Sequence, residues 1–148
     1  MRSDRPDVLF VHRDAETTPW AARRAEVPVR ASVVPVIPVR MTEAWLLVDE
    51  HALRRAAGNP NGTEPFDLPH PRTLESLADP KAALRTCLER ASGLKGRRLG
   101  QFDRVAARRR VAEEIEDYSA LRALPAYREL ESAIGEVLTE LQAGLGAP

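Results

Sequence analysis

Three carboxylates stand where a cation could be held. Asp14 and Glu16 follow the apolar run VLFVHR, and Glu43 follows a second run, VVPVIPVR. In open α/β sheets ligands bind beyond the carboxyl ends of the strands. Neighbouring strands lie about 4.8 Å apart, so acids after two adjacent strands could converge on one ion. A set rich in carboxylate and poor in imidazole suits Mg²⁺ or Mn²⁺. Such an ion activates water and neutralises a phosphodiester in its transition state. On this reading Asp14, Glu16 and Glu43 hold the metal, and Asp14 and Glu43 carry the catalysis. The structural alternative is that acids gather at helix starts because the macrodipole favours them there, and the D-x-E pattern is short and common.

The second chemical feature is a basic block. The 148 residues carry no net charge, but the charges are segregated. Met1–Pro80 has 10 Lys/Arg against 12 Asp/Glu, Lys81–Arg110 has 10 against 2, and Val111–Pro148 has 2 against 8. A basic stretch of this density can track a phosphate backbone. Lys95, Arg97, Arg98 and Arg104, with Phe102 beside them, are the candidate nucleic-acid contacts. The competing reading is a solvated helix face that pairs with the acidic block. The Arg108-Arg109-Arg110 run next to Glu113, Glu114 and Glu116 offers several i,i+3 and i,i+4 pairs, where helical ion pairs form.

Other reactive residues carry less. His12, His51 and His70 are not at zinc spacing, and no P-loop, G-x-S-x-G or H-E-x-x-H motif is present. Cys87, the one cysteine, falls on an apolar helical face and reads as a small core residue, as Trp20 and Trp45 read as packing residues. A single cysteine permits no intrachain disulfide, which fits a reducing cytoplasm. The N-terminus lacks the long apolar segment of a secretion signal, and no window approaches a membrane span.

The elements that must position these residues follow from periodicity and punctuation. Asp7–Arg13 reads as a strand, apolar on both faces and so expected to be buried on both. Thr18-Pro19 opens a short helix to about Glu26, with Trp20, Ala21 and Ala25 inward. Ser32–Val39 is a second strand whose Pro35 and Pro38 lack donors, so it cannot be paired along its whole length on both sides. A helix is expected from Glu43 to about Ala57, stopped by Gly58. Asn59–Pro71 is turn chemistry throughout, and Arg72–Leu77 could form one helical turn. Asp79-Pro80 starts a helix to Ser92, stopped by Gly93, and Leu94–Asp103 is a basic connector. Helices over Arg104–Asp117 and from Pro125 to Gly144 close the chain, with a capped turn at Ser119 between them. The whole reads as one 1–148 domain: a βαβα core over 7–57, a loop over 58–79 and a helical part over 80–143. The fold class is α/β, a small parallel sheet with two clear strands followed by a helical C-terminal half. Two strands make a marginal sheet, so something further is expected: undetected strands, a partner that supplies them, or sequence upstream of Met1 that would make this an N-terminally incomplete sheet.

The segments VPVRMTEAWLLVDEHAL, LADPKAALRTCL, GLKGRRLG and LRALPAYRELESAI, in that order, resemble a bacterial family named as the domain of unknown function 4276 family. The E-A-W-L-L-x-D at Glu43–Asp49 and the D-P-K at Asp79–Lys81 are the most specific parts, and the likeness covers most of the chain from Asp7. That family resembles a distant branch of the Toprim fold, whose members hold Mg²⁺ with a glutamate after the first strand and a D-x-D after a later one. The resemblance implies that Asp14 matches the first aspartate of that D-x-D, with Glu16 at the second position, and that Glu43 lies in the family's own segment. It also implies an antiphage-defence setting beside an ABC-type ATPase. The acidic strand that should precede Asp7–Arg13 has no counterpart here, so the true start lies upstream, the copy is truncated, or another chain donates the element.

Two functions follow as expectations. The first is a Toprim-like, Mg²⁺-dependent nuclease or phosphotransfer domain acting on nucleic acid, homodimerisation being open to it. The second is a non-catalytic protein-interaction module that keeps the fold without a complete metal site.

Overall fold

The computed structural model describes residues 8–30 and 32–145. It is an α/β chain with a two-stranded parallel sheet and mostly helical content. The chain divides into two compact units, one holding the residues up to Val39 with those from Pro125 onward, the other Arg40–Leu124.

In the first unit β1 (Leu9–His12) pairs in parallel with β2 (Val33–Val36), Leu9 opposite Val33 and His12 opposite Val36. Asp7, where the sequence reading begins the first strand, lies outside the described residues. Between the strands runs α1 (Trp20–Ala25). Pro19, rather than Thr18, is its N-cap; the Thr18 hydroxyl accepts from Arg23 Nη2 at 3.0 Å instead. Ala15, Val27 and Ile37 form the buried core, with Val11, Trp20 and Val33 packed against it. The Trp20 indole N–H donates to Ile37 O at 3.0 Å.

Two expectations are corrected in this unit. The first strand is not buried on both sides: Leu9 is 49% and Phe10 57% exposed. Ala21 and Ala25 are exposed, so only Trp20 points α1 toward the core. A helix of six residues is too short to cover the sheet face beside β1. A last helix, α7 (Pro125–Leu145), lies against β2 and buries Val137, while Leu138 stays 52% exposed. Burial of the apolar residues along that helix is therefore uneven.

The second unit is built from helices. The expected Glu43–Ala57 helix is two helices, α2 (Thr42–Trp45) and α3 (Glu50–Ala56). The break follows from Asp49, whose Oδ1 accepts from Ala52 N at 3.0 Å and so starts a new helix. Leu46–Val48 form the turn between, with Leu47 wholly buried. α3 ends as expected at Gly58, which has φ +77°; the N–H groups of Gly58 and Asn59 donate to Arg55 O and Arg54 O. These two bonds close a Schellman motif.

The loop after it is ordered by Arg54, 4% exposed beneath it. A 3₁₀ turn at Pro71–Ser76 leads to α4 (Pro80–Ala91), whose first turn is capped by Asp79 Oδ1 on Ala82 N at 2.9 Å. The basic connector contains a short helix, α5 (Gly96–Gly100), which the glycines had masked. α6 (Arg104–Glu114) is capped by Asp103 and stops three residues earlier than expected. A 3₁₀ turn at Ser119–Ala123 ends the unit. Leu47, Leu53, Leu74, Leu84, Leu88, Val111, Leu121 and Leu124 are fully buried and form its core.

Packing in this unit is tied by guanidinium groups at helix ends. Arg110 Nη2 donates to Ala56 O at 2.8 Å, and Arg55 Nε pairs with Glu114 Oε2 at 2.7 Å, joining α3 to α6. Cations at helix C-termini answer both the orphan carbonyls and the dipole. No helix among the described residues is long and apolar enough to cross a membrane.

Candidate functional site

The three candidate metal ligands are held by two different units. Asp14 follows β1, and the next residue's N–H donates to Pro38 O at 2.9 Å, which extends the strand pairing past His12. The Asp14 carboxylate is partly buried, with Oδ1 3.2 Å from His12 Nε2, an ion pair when the imidazole is protonated. Glu16 is exposed, with φ +53°, the left-handed conformation of a tight turn. Glu43 belongs to the second unit. It opens α2 there, and its Oε1 lies 3.4 Å from Arg108 Nη1 of α6. The Glu43 side chain is only 16% exposed, so Arg108 balances a carboxylate largely removed from water. Among the described residues no group of three or more His, Cys, Asp or Glu side chains is placed to hold a metal ion.

The four expected nucleic-acid contacts have unequal standing. Arg97 and Arg98 on α5 are exposed and have no carboxylate partner among the described residues. Lys95 Nζ is 3.3 Å from Glu64 Oε1, with both side chains mostly in solvent, a pairing worth little. Arg104 is committed to structure: Nε donates to Glu89 of α4, Nη1 to Phe102 O at 3.1 Å and Nη2 to Leu99 O at 3.3 Å. It thereby anchors α4, the α5 segment and α6 to one another.

Arg104 also lines a groove of about 380 Å³ between α4 and α6. Lys81 and Arg85 face it from α4, and Arg104 and Arg108 from α6. Leu84, Leu88 and Val105 supply its apolar surface, and Asp79 is the one acid in its lining. The arrangement follows from helix geometry, because residues four apart share a face. Each helix presents one such basic pair, Lys81 with Arg85 and Arg104 with Arg108.

Electrostatically the four cations divide. Arg104 and Arg108 have Glu89 and Glu43 as partners. Lys81 and Arg85 are exposed and have no carboxylate partner among the described residues. Val105 is 53% exposed because it stands in this open groove.

Comparison with protein-family models, with curated proteins and with solved structures finds no match for this chain.

The site therefore rests on its own geometry. Lys81, Arg85 and Arg108 were not among the expected contacts, yet their signal was present as two i,i+4 basic pairs. What the sequence did not display is that α4 and α6 pack side by side. In place of helical pairs with the acids that follow, Arg110 donates to Ala56 O, while Arg108 pairs with Glu43. Arg109 remains exposed, without a carboxylate partner among the described residues.

Proposed function

We propose that the Arg40–Leu124 unit binds the phosphate backbone of a nucleic acid along the groove between α4 and α6. One observation carries this reading: Lys81 and Arg85 face the groove without a carboxylate partner, opposite a second basic pair on α6. The two paired arginines are held in place by Glu43 and Glu89. The two unpaired cations bring the net positive charge to the same opening. A phosphate there exchanges its counterions for fixed cations, and the released ions drive binding. Base edges are not read by such contacts, so binding is expected to be largely indifferent to sequence. The exposed Arg97, Arg98 and Arg109 add basic surface in the same unit.

The test is duplex-DNA affinity of the wild type against Lys81→Glu/Arg85→Glu. The reading predicts a loss of at least about tenfold, equal across unrelated sequences, from two lost contacts and two added repulsions. Undiminished affinity in the double variant rejects it.

A second reading, a Toprim-like Mg²⁺-dependent nuclease acting on the bound strand, is supported by Asp14 standing beyond the carboxyl end of β1 in a parallel pair. It predicts that plasmid cleavage requires Mg²⁺ or Mn²⁺ and is lost in Asp14→Ala and in Glu43→Ala. Cleavage at equal rates by all three proteins would exclude it.

A further inference from the structure

The α4–α6 groove carries two features that contact with phosphate leaves unused. The first is Val105, next to Arg104 and one turn from Arg108 on the same face of α6, and 53% exposed among the cations. Ala82 lines the groove from α4, and Leu84 and Leu88, each 1% exposed, close its floor. A phosphate gives such an apolar strip nothing to pack against. The second feature is the state of Arg104. Each of its three guanidinium nitrogens already donates to a protein oxygen, Glu89 Oε1, Phe102 O or Leu99 O. The plane is thereby fixed, with the Phe102 ring centroid 6.0 Å from Cζ. A guanidinium tied along its edge is a poor clamp for phosphate but keeps a flat face, and 35% of the side chain stays open. Unpaired bases stack on guanidinium planes as they do on aromatic rings.

We propose, resting on the phosphate-binding reading above, that the groove takes a single strand in preference to a duplex. An unpaired base lies against Val105 and the Arg104 plane, and the phosphates flanking it meet Lys81, Arg85 and Arg108. The dimensions agree. Lys81 and Arg85 stand about 6 Å apart along α4, close to the step between consecutive phosphates of a strand. Packed helices lie about 8–10 Å apart, and the groove between these two holds about 380 Å³. That space admits a nucleotide and excludes a duplex, whose major groove alone is about 12 Å wide. A duplex also keeps its bases inside the stack. It offers the groove phosphates only, and leaves Val105 against sugar and charge. Stacking tolerates any base, and DNA and RNA strands share this chemistry.

Fluorescence anisotropy of the full chain, with labelled oligodeoxythymidylate, oligouridylate and a mixed-sequence duplex of equal length, tests this at one salt concentration. At least one single strand is expected to bind about tenfold more tightly than the duplex, and the tighter of the two tells DNA from RNA. Val105→Ser is expected to lower the ratio of strand to duplex affinity roughly threefold, and Val105→Trp, which adds an aromatic platform, to raise it about fivefold. Both changes fall on an exposed position of α6, and circular dichroism checks the fold. A duplex bound as tightly as both single strands overturns the proposal, as does a ratio that neither Val105 variant moves. If Lys81→Glu/Arg85→Glu still loses affinity for the duplex in those cases, phosphate binding stands and only the preference for a single strand falls. Undiminished affinity in that double variant rejects both.

Discussion

Arg54 shows how one residue can hold a loop that has no secondary structure. It is 4% exposed; its guanidinium donates to Glu50 Oε1 at 2.6 Å and to Glu64 O at 2.7 Å, and its carbon lies 4.9 Å above the Phe66 ring. The loop between α3 and the Pro71 turn is thus fastened from below. Arg54→Met keeps the bulk and loses the donors, leaving the Glu64 carbonyl short of a partner. The expected cost is about 1–3 kcal/mol, read as a lower denaturant midpoint at unchanged slope. Nothing in the sequence marks Arg54, because a buried arginine has the same local pattern as an exposed one. Cys87 was legible, since its position on an apolar helical face does follow from spacing. Burial raises its thiol pKa, with Arg90 opposing the shift weakly. The thiol therefore stays protonated to higher pH in the fold than in the unfolded chain. Its contribution to stability is fully present below the ordinary thiol range near pH 8.5 and is lost as pH rises through the higher folded value. Alkylation by iodoacetamide at pH 8 is expected to be slow in the native protein and rapid in denaturant. Equal rates would show that Cys87 is accessible.

At the scale of elements, the helix ends were the most legible features. Asp79 and Asp103 cap α4 and α6 through the N–H three residues on, and Gly58 and Gly93 take positive φ after α3 and α4. Caps are local chemistry, so a few residues suffice to see them. Asp49 is the exception. It carries the same cap geometry, yet the apolar run AWLLV before it has helical spacing and conceals the break. Asp49→Ala is expected to lower stability by about 1 kcal/mol, seen as a shift in the thermal midpoint. An unchanged midpoint would mean that packing of Leu47 and Leu53 alone sets the break. The two strands were legible as apolar runs, but their exposure was not. Burial of Leu9 and Phe10 depends on what lies across the sheet, and α1 is too short to cover it.

For the whole molecule, the charge segregation proved more informative than any single motif. The Lys81–Arg110 block supplies every cation of the α4–α6 groove, so the site was visible as composition before it was visible as a place. Its geometry was not, because which basic residues are consumed structurally depends on tertiary partners: Arg104 by Glu89, Arg108 by Glu43, Arg110 by Ala56 O. The acidic candidates divide between the two units, Asp14 and Glu16 in one and Glu43 in the other, which no local pattern announces. The central claim is that Lys81 and Arg85 contact phosphates, and the salt dependence of DNA binding tests it most directly. Neutralising each contact lowers the slope of log affinity against log salt by about 0.9 on duplex DNA. Fluorescence anisotropy with a labelled duplex, from low to high salt, should give Lys81→Gln/Arg85→Gln a slope shallower than wild type by about 2. Parallel salt dependences for the two proteins would contradict the account.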